Sequence, residues 1–355
     1  MIIPARHRLS APLRRLPLGL LLLCGLLLPA AAWAGNATLP AAGAGAGNAT
    51  LTTAGAGAFD PTELLNAGRA DEALRLLTPQ ATGNNAAAFN YLGRVYFALE
   101  DWDNAVRNCE RAVQLEPRNA MYQLWLGRSY GEKANVSNLI MAFPLARKTV
   151  AAFAAAHALD RQNMAIAHDL AEYYSEAPLI VGGGIKKAFA LAAELAPEHP
   201  TDAAWVRAMA ASNAGHYEEA EREYTEAIRL DHDSATTYLN LAHFLRGRKS
   251  WDRCQQTVER ALQSTQIHPA DRYDAAELLL RTNRNLDEAA RQMRAYIQGE
   301  HTEEEDPVFR AHFLLGEILL KTGDTHQAAA EYQAALALAS SYRPAAEALR
   351  RLGQR

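Results

Sequence analysis

The stretch from Ala86 to Asn119, AAAFNYLGRVYFALEDWDNAVRNCERAVQLEPRN, is 34 residues long, and its spacing of small and large side chains recurs along the rest of the chain. With Ala86 as position 1, small residues stand at positions 8 (Gly93), 20 (Ala105) and 27 (Ala112). Large ones stand at 4 (Phe89), 7 (Leu92), 11 (Tyr96) and 17 (Trp102), and Pro117 falls at 32. Small residues in those places let two antiparallel helices, and then the next pair, approach closely, while the large ones fill the space between them. Gly127 and Gly316 take position 8 again, Gly215 and Gly323 take position 15, and Ala73, Ala188, Ala220, Ala289 and Ala328 take position 20. Ala156, Ala227, Ala261 and Ala335 take position 27. From Phe59 onward, stretches of helix period are separated by short polar or glycine breaks with no strand alternation, which predicts stacked helix pairs.

The columns Leu92, Gly93, Tyr96, Trp102, Ala105, Ala112 and Pro117 resemble the tetratricopeptide repeat, over roughly residues 59–355. The resemblance implies an all-α, right-handed superhelical solenoid of about seven helix-turn-helix units. The first unit, from Phe59, reads as truncated, and Pro344–Leu352 reads as a helix that closes the last repeat. Three departures stand out: Glu277 at a position-8 site, Thr149 at a position-20 site, and about ten extra residues between Gly131 and Pro144. The segments LGRSYGEKA (126–134) and YYSEAPLIVGGG (173–184) are similar to a variant found in exported bacterial repeat proteins.

Upstream of the repeats, residues 1–34 read as a cleaved secretory signal. Arg6, Arg8, Arg14 and Arg15 form the basic part, Leu18–Leu28 the apolar part, and Ala32-Trp33-Ala34 a small-x-small site with cleavage expected after Ala34. The exported chain would then lie in the periplasm or outside the cell, with no transmembrane span after cleavage. Residues 35–58 are a tandem of twelve, GNATLPAAGAGA and GNATLTTAGAGA, uncharged and poor in large apolar groups, and read as a disordered linker. Loss of the leader removes four arginines and no acid, so the net charge of −4 becomes −8, which argues against nucleic acid as a partner.

Several residues invite chemistry. Gly182, Gly183 and Gly184, followed by Lys186 and Lys187, suggest a phosphate cradle, because glycine N–H groups and a nearby lysine suit an anion. The spacing fits neither the P-loop nor the dinucleotide fingerprint, and the repeat register places the segment in a turn between two helices. There Pro178 would end the first helix, Leu179, Ile180 and Val181 would fold back onto apolar surface, and an anion site stays open as the second reading. Cys109 and Cys254 fall in interior columns of distant repeats, beyond the ~7 Å reach of a disulfide, and read as buried free thiols. His157, His168 and Glu172 lack a metal-binding spacing, and Asp306 before Pro307 reads as a helix N-cap after the acidic Glu303–Glu305. Neither a catalytic constellation nor a cofactor motif stands out, so a non-catalytic protein is expected.

In the family, positions 5 and 9 of each first helix line the concave face, and repeats that grip a peptide carboxylate carry Lys, Arg and Asn there. By that resemblance the groove residues are Asn90 and Arg94, Leu124 and Arg128, His168 and Glu172, and Trp205 and Met209, with Phe97 and Phe313 in neighbouring groove columns. Arg94 and Arg128, 34 residues apart, should stack as a short basic ladder able to take an anionic peptide, unless Arg128 pairs with Glu172. Asn90, Arg94, Arg128, His168, Glu172 and Trp205 are therefore the expected partner contacts of an exported interaction module. The alternatives are an anion-binding or enzyme-accessory envelope protein using the Gly182–Lys187 loop, and a structural subunit of an envelope assembly.

Overall fold

The computed structural model describes residues 51–53, 56–300 and 306–353. The leader, most of the tandem segment and Glu303–Glu305 lie outside the described residues. At the end of the tandem segment, whose linker reading covers residues 35–58, a short antiparallel pair stands: β1 (Leu51–Thr53) and β2 (Ala56–Phe59). Two β-branched threonines favour the extended backbone there.

Everything after Phe59 is helical, in pairs. A short pair, α1 (Pro61–Asn66) and α2 (Ala70–Leu77), is followed by α3 (Ala86–Ala98) with α4 (Trp102–Leu115), and α5 (Ala120–Val136) with α6 (Leu139–Leu159). Then come α7 (Met164–Glu176) with α8 (Ile185–Leu195), α9 (Pro200–Ala214) with α10 (Tyr217–Leu230), and α11 (Ala235–Gly247) with α12 (Trp251–Leu262). The series ends with α13 (Pro269–Thr282) and α14 (Leu286–Gln298), α15 (Val308–Thr322) and α16 (Thr325–Leu338), and the single α17 (Arg343–Leu352). The helix starts are written in the sequence: Asn85, Asp101, Asn119, Asn138, Asn163 and Asp324 each accept a backbone N–H of their own first turn. Asp306 does not cap α15; Pro307 does, because its carbonyl already takes the N–H groups of Arg310 and Ala311 (2.8 and 3.2 Å).

The small-residue columns are hollows for the facing helix. A methyl group at Gly93 would collide with Cys109, at Gly127 with Phe153, and at Gly316 with Tyr332, all three being the position-24 knob of the same repeat. Position 15 is the left-handed turn residue between paired helices: Gly215 (φ 86°), Gly323 (φ 92°), and also Glu100 (φ 61°), Lys249 (φ 58°) and Asn283 (φ 54°). Asn283 corrects the register of its repeat. Its turn carries one extra residue, which moves position 8 from Glu277 to the fully buried Ala276, while Glu277 pairs with Arg281 on the surface side. Thr149 is a true exception, wholly buried, with its hydroxyl donating to the Leu145 carbonyl at 3.0 Å.

The two ends of the stack meet. Leu64, Leu65, Ala70, Ala73 and Leu77 of the first pair share one apolar cluster with Phe309, Ala335, Ala339, Tyr342 and Ala345 of the last repeat and α17. Gly68 (φ 64°) is needed at this seam, since a methyl there would lie 2.7 Å from the Val308 nitrogen. Polar contacts finish it: the Ser340 N–H donates to the Asp71 carboxylate, Arg310 donates to the Ala98 carbonyl at 3.2 Å, and the Tyr342 hydroxyl donates to Glu100 at 3.3 Å. The closing helix therefore covers the last repeat together with the first pair, a contact the repeat pattern did not announce.

Candidate functional site: the first-helix face

Positions 5 and 9 of α3, α5, α7 and α9 lie along one face, as the register requires. What lies opposite each of them was not foreseen. Asn90 and Arg128 are each 2% exposed, His168 is buried at 8%, and only Arg94, Glu172 and Trp205 of the six expected contacts keep intermediate exposure. Half of the expected contacts are thus packed into the stack.

Arg128 does not extend a basic ladder. Its Nε donates to Asp169 Oδ2 at 2.6 Å, and both side chains are almost fully buried. Asp169 on α7, three residues before Glu172, is thus a partner of Arg128. The mate of a position-9 residue is position 6 of the following repeat, and this rule holds in three places. Arg94 reaches the Trp125 ring (5.3 Å to its centroid), Arg128 reaches Asp169, and His243 reaches Asp274 (2.9 Å). The spacing behind it is 31 residues, or 41 across the ten-residue insertion, not the 34 that stacks like on like. A second rung joins position 5 to position 2, with His168 Nε2 2.7 Å from Asp202 Oδ1 and its ring 4.8 Å from that of Trp205. Further along, the Thr236 hydroxyl donates to Asp271 at 2.8 Å. A search for opposite charges at 31-residue spacing would have found the His243 rung from the sequence.

Trp125 lies beneath two guanidinium groups, those of Arg94 and of Arg128 (4.6 Å), and Arg94 also covers Tyr91 at 4.5 Å. Such cation–π contacts hold the arginines flat against the helix face. Among groove columns, Phe97 is core, packed edge-on against Trp102 and Trp125 at 5.3 and 5.4 Å. Phe313 belongs to the seam, against Tyr342 at 5.7 Å. Asn90 Nδ2 on this face is buried without a hydrogen-bond acceptor among the described residues. It sits one helical turn before Arg94.

The triple glycine is explained by packing. Gly182 (φ 95°) passes 2.9 Å from Val150 Cγ1 by the same measure of an added methyl, Gly183 has no room for one against the Ala177 carbonyl, and Gly184 adopts φ 138°. Lys187 turns back, its Nζ donating to the Gly182 carbonyl at 2.7 Å and lying 5.2 Å from the Tyr174 ring centroid, while Lys186 is exposed. Val181 is buried as expected, but Leu179 and Ile180 are 78% and 69% exposed rather than folded back, because the 3₁₀ turn over Leu179–Val181 directs only Val181 inward.

Cys109 and Cys254 are buried free thiols, as read from the columns. Burial pushes the Cys109 thiol up to about 12, which keeps it protonated and unreactive. His157 faces Glu194 at 3.4 Å, and among the described residues no three metal-ligating side chains gather.

Tetratricopeptide repeat models match the chain over residues 86–119, over 201–233, and over 273–343 and 313–354. Similar solved structures are a tetratricopeptide repeat protein from Parabacteroides merdae ATCC 43184 and TTC0263, a thermophilic TPR protein in Thermus thermophilus. The first is 16% identical with a TM-score of 0.38, covering 77% of this chain and 100% of that one. The second is 16% identical with a TM-score of 0.38, covering 62% and 95%. The APC/C hetero-tetramer Cut9-Hcn1 is 14% identical with a TM-score of 0.39, covering 80% and 68%. No curated protein matches. The repeat models and the columns they share with the helix hollows carry the assignment, since the scores of the solved structures are too low to add to it.

Proposed function

The chain is a tetratricopeptide repeat protein, and from that premise we propose that it is an exported, non-catalytic scaffold that holds a protein or peptide partner at the α3–α5 part of its first-helix face. Asn90 carries the proposal. A buried amide donor left unpaired costs about 1–3 kcal/mol, and a partner's carboxylate or backbone carbonyl would remove that cost. Arg94, one turn on and half-exposed, supplies the charge that favours a carboxylate. Glu172 and Trp205, of intermediate exposure, lie on the same face two and three repeats away. Arg128 and His168 act behind it, fixing the spacing of α5, α7 and α9.

The test is an array of acidic peptides, each with a free or an amidated C-terminus, probed with the wild-type chain and with Asn90→Ala combined with Arg94→Glu. Binding that needs the free carboxylate and disappears in the variant, at unchanged helix content, supports the groove; equal binding by both proteins removes it. Export predicts that the mature chain begins at Gly35, which N-terminal sequencing decides. The anion-loop alternative loses support from Lys187, which is turned onto its own loop's carbonyl. Millimolar phosphate should leave the thermal midpoint unchanged, and a rise would revive that alternative.

A further inference from the structure

Of the ten large apolar side chains that stand exposed among the described residues, seven belong to two neighbouring first-to-second-helix connections. Val136, Leu139, Ile140, Met141 and Phe143 form the tip of the elongated α5–α6 hairpin, with Ile140 85% exposed, and Leu179 and Ile180 stand on the next turn. Tyr173 ties the two together, because its hydroxyl lies 2.6 Å from the Ala146 carbonyl oxygen of α6 and 2.9 Å from that of Val181. Gly182 against Val150 closes the same joint. The apolar residues therefore share one edge of the stack.

Both segments carry cations and no acid of their own, in a chain of net charge −4: Lys133, Arg147 and Lys148 in residues 133–159, and Lys186 and Lys187 in residues 177–193. Lys133 and Lys148 pair with Asp103 and Glu110 of α4 at 2.7 and 3.6 Å. Arg147 and Lys186 are exposed and make no ion pair with the described residues. We infer that this edge docks on the surface of a bilayer containing anionic phospholipid, the aliphatic tips entering the interface and the cations meeting the phosphates. Apolar tips flanked by Lys and Arg suit an interfacial membrane segment. Contact is peripheral. α6 is the one described helix long and apolar enough to cross a membrane, but Ala146, Thr149, Ala152, Phe153 and Ala156 bury its inner face in the stack and only its first turns protrude.

The experiment is flotation of the full chain with vesicles of phosphatidylglycerol and phosphatidylcholine, against phosphatidylcholine alone. The chain should float with the mixed vesicles and not with the neutral ones. Ile140→Ser with Ile180→Ser removes two exposed aliphatic groups and should weaken binding on the order of 100-fold. Arg147→Gln with Lys186→Gln should weaken it about 10- to 30-fold. Both pairs are at the surface, so helix content should not change. Absence of flotation, or flotation that neither pair weakens, overturns the proposal. So does a dimer in light scattering that Ile140→Ser with Ile180→Ser dissociates while vesicles are ignored, since the edge would then be an interface between two copies.

Discussion

Arg94 and Arg128 occupy the same column of consecutive repeats, yet their surroundings differ. Arg128 is almost fully buried against Asp169, whereas Arg94 rests half-exposed on Tyr91 and Trp125. The difference is made by the neighbour, not by the column: position 6 of the next repeat is a carboxylate for one arginine and an indole for the other. A buried guanidinium with a carboxylate is fixed structure, and a half-exposed one over an aromatic ring still reaches solvent. The face expected to be a uniform basic ladder is one buried rung beside one half-exposed one.

Breaking the buried rung should have the largest effect. Asp169→Ala takes from the buried Arg128 guanidinium the carboxylate that its Nε donates to at 2.6 Å, a loss of about 3–5 kcal/mol, read as a fall in urea stability at neutral pH. A loss below about 1 kcal/mol, the level of an exposed pair, would mean that the rung is solvated in solution. The equivalent rung in α11–α13 sharpens the point, since His243 has the same geometry with Asp274 but can shed its proton. Asp274→Ala should therefore cost less, about 1–2 kcal/mol. If the two losses were equal, the fixed charge of arginine would not be what makes the Arg128 rung expensive to break.

These rungs also mark where the sequence stopped being legible. The hollows at Gly93, Gly127 and Gly316 and the turns at Gly215 and Gly323 could be read directly, because a residue without a side chain in a fixed column has one physical use. Glu277 misled, because one additional residue in the turn at Asn283 shifts the register by one place and a count from Ala289 cannot see it. The charge pairs were hidden by their 31-residue offset, which appears only when a helix is known to face the preceding turn of its neighbour. The seam was wholly hidden. Asp71 with Ser340 and Arg310 with Ala98 are 269 and 212 residues apart and belong to no period. Of the candidate site, the face and its residues could be placed from the sequence, but not which of them would be spent on holding repeats together.

The smallest expected effect is on the half-exposed rung. Arg94→Ala removes a partly exposed cation–π contact, worth about 0.5–1 kcal/mol, so urea stability should barely move. Binding should respond differently: if Arg94 is the charge that meets a partner's carboxylate, its loss removes a charge-assisted hydrogen bond worth about 1.5–3 kcal/mol, roughly 10- to 150-fold in affinity. Stability and binding are thus expected to separate at Arg94 and to move together at Asp169, where unfolding takes the site with it. A large stability loss at Arg94 with proportionate loss of binding would make it a second structural rung, and the proposal would then rest on Asn90.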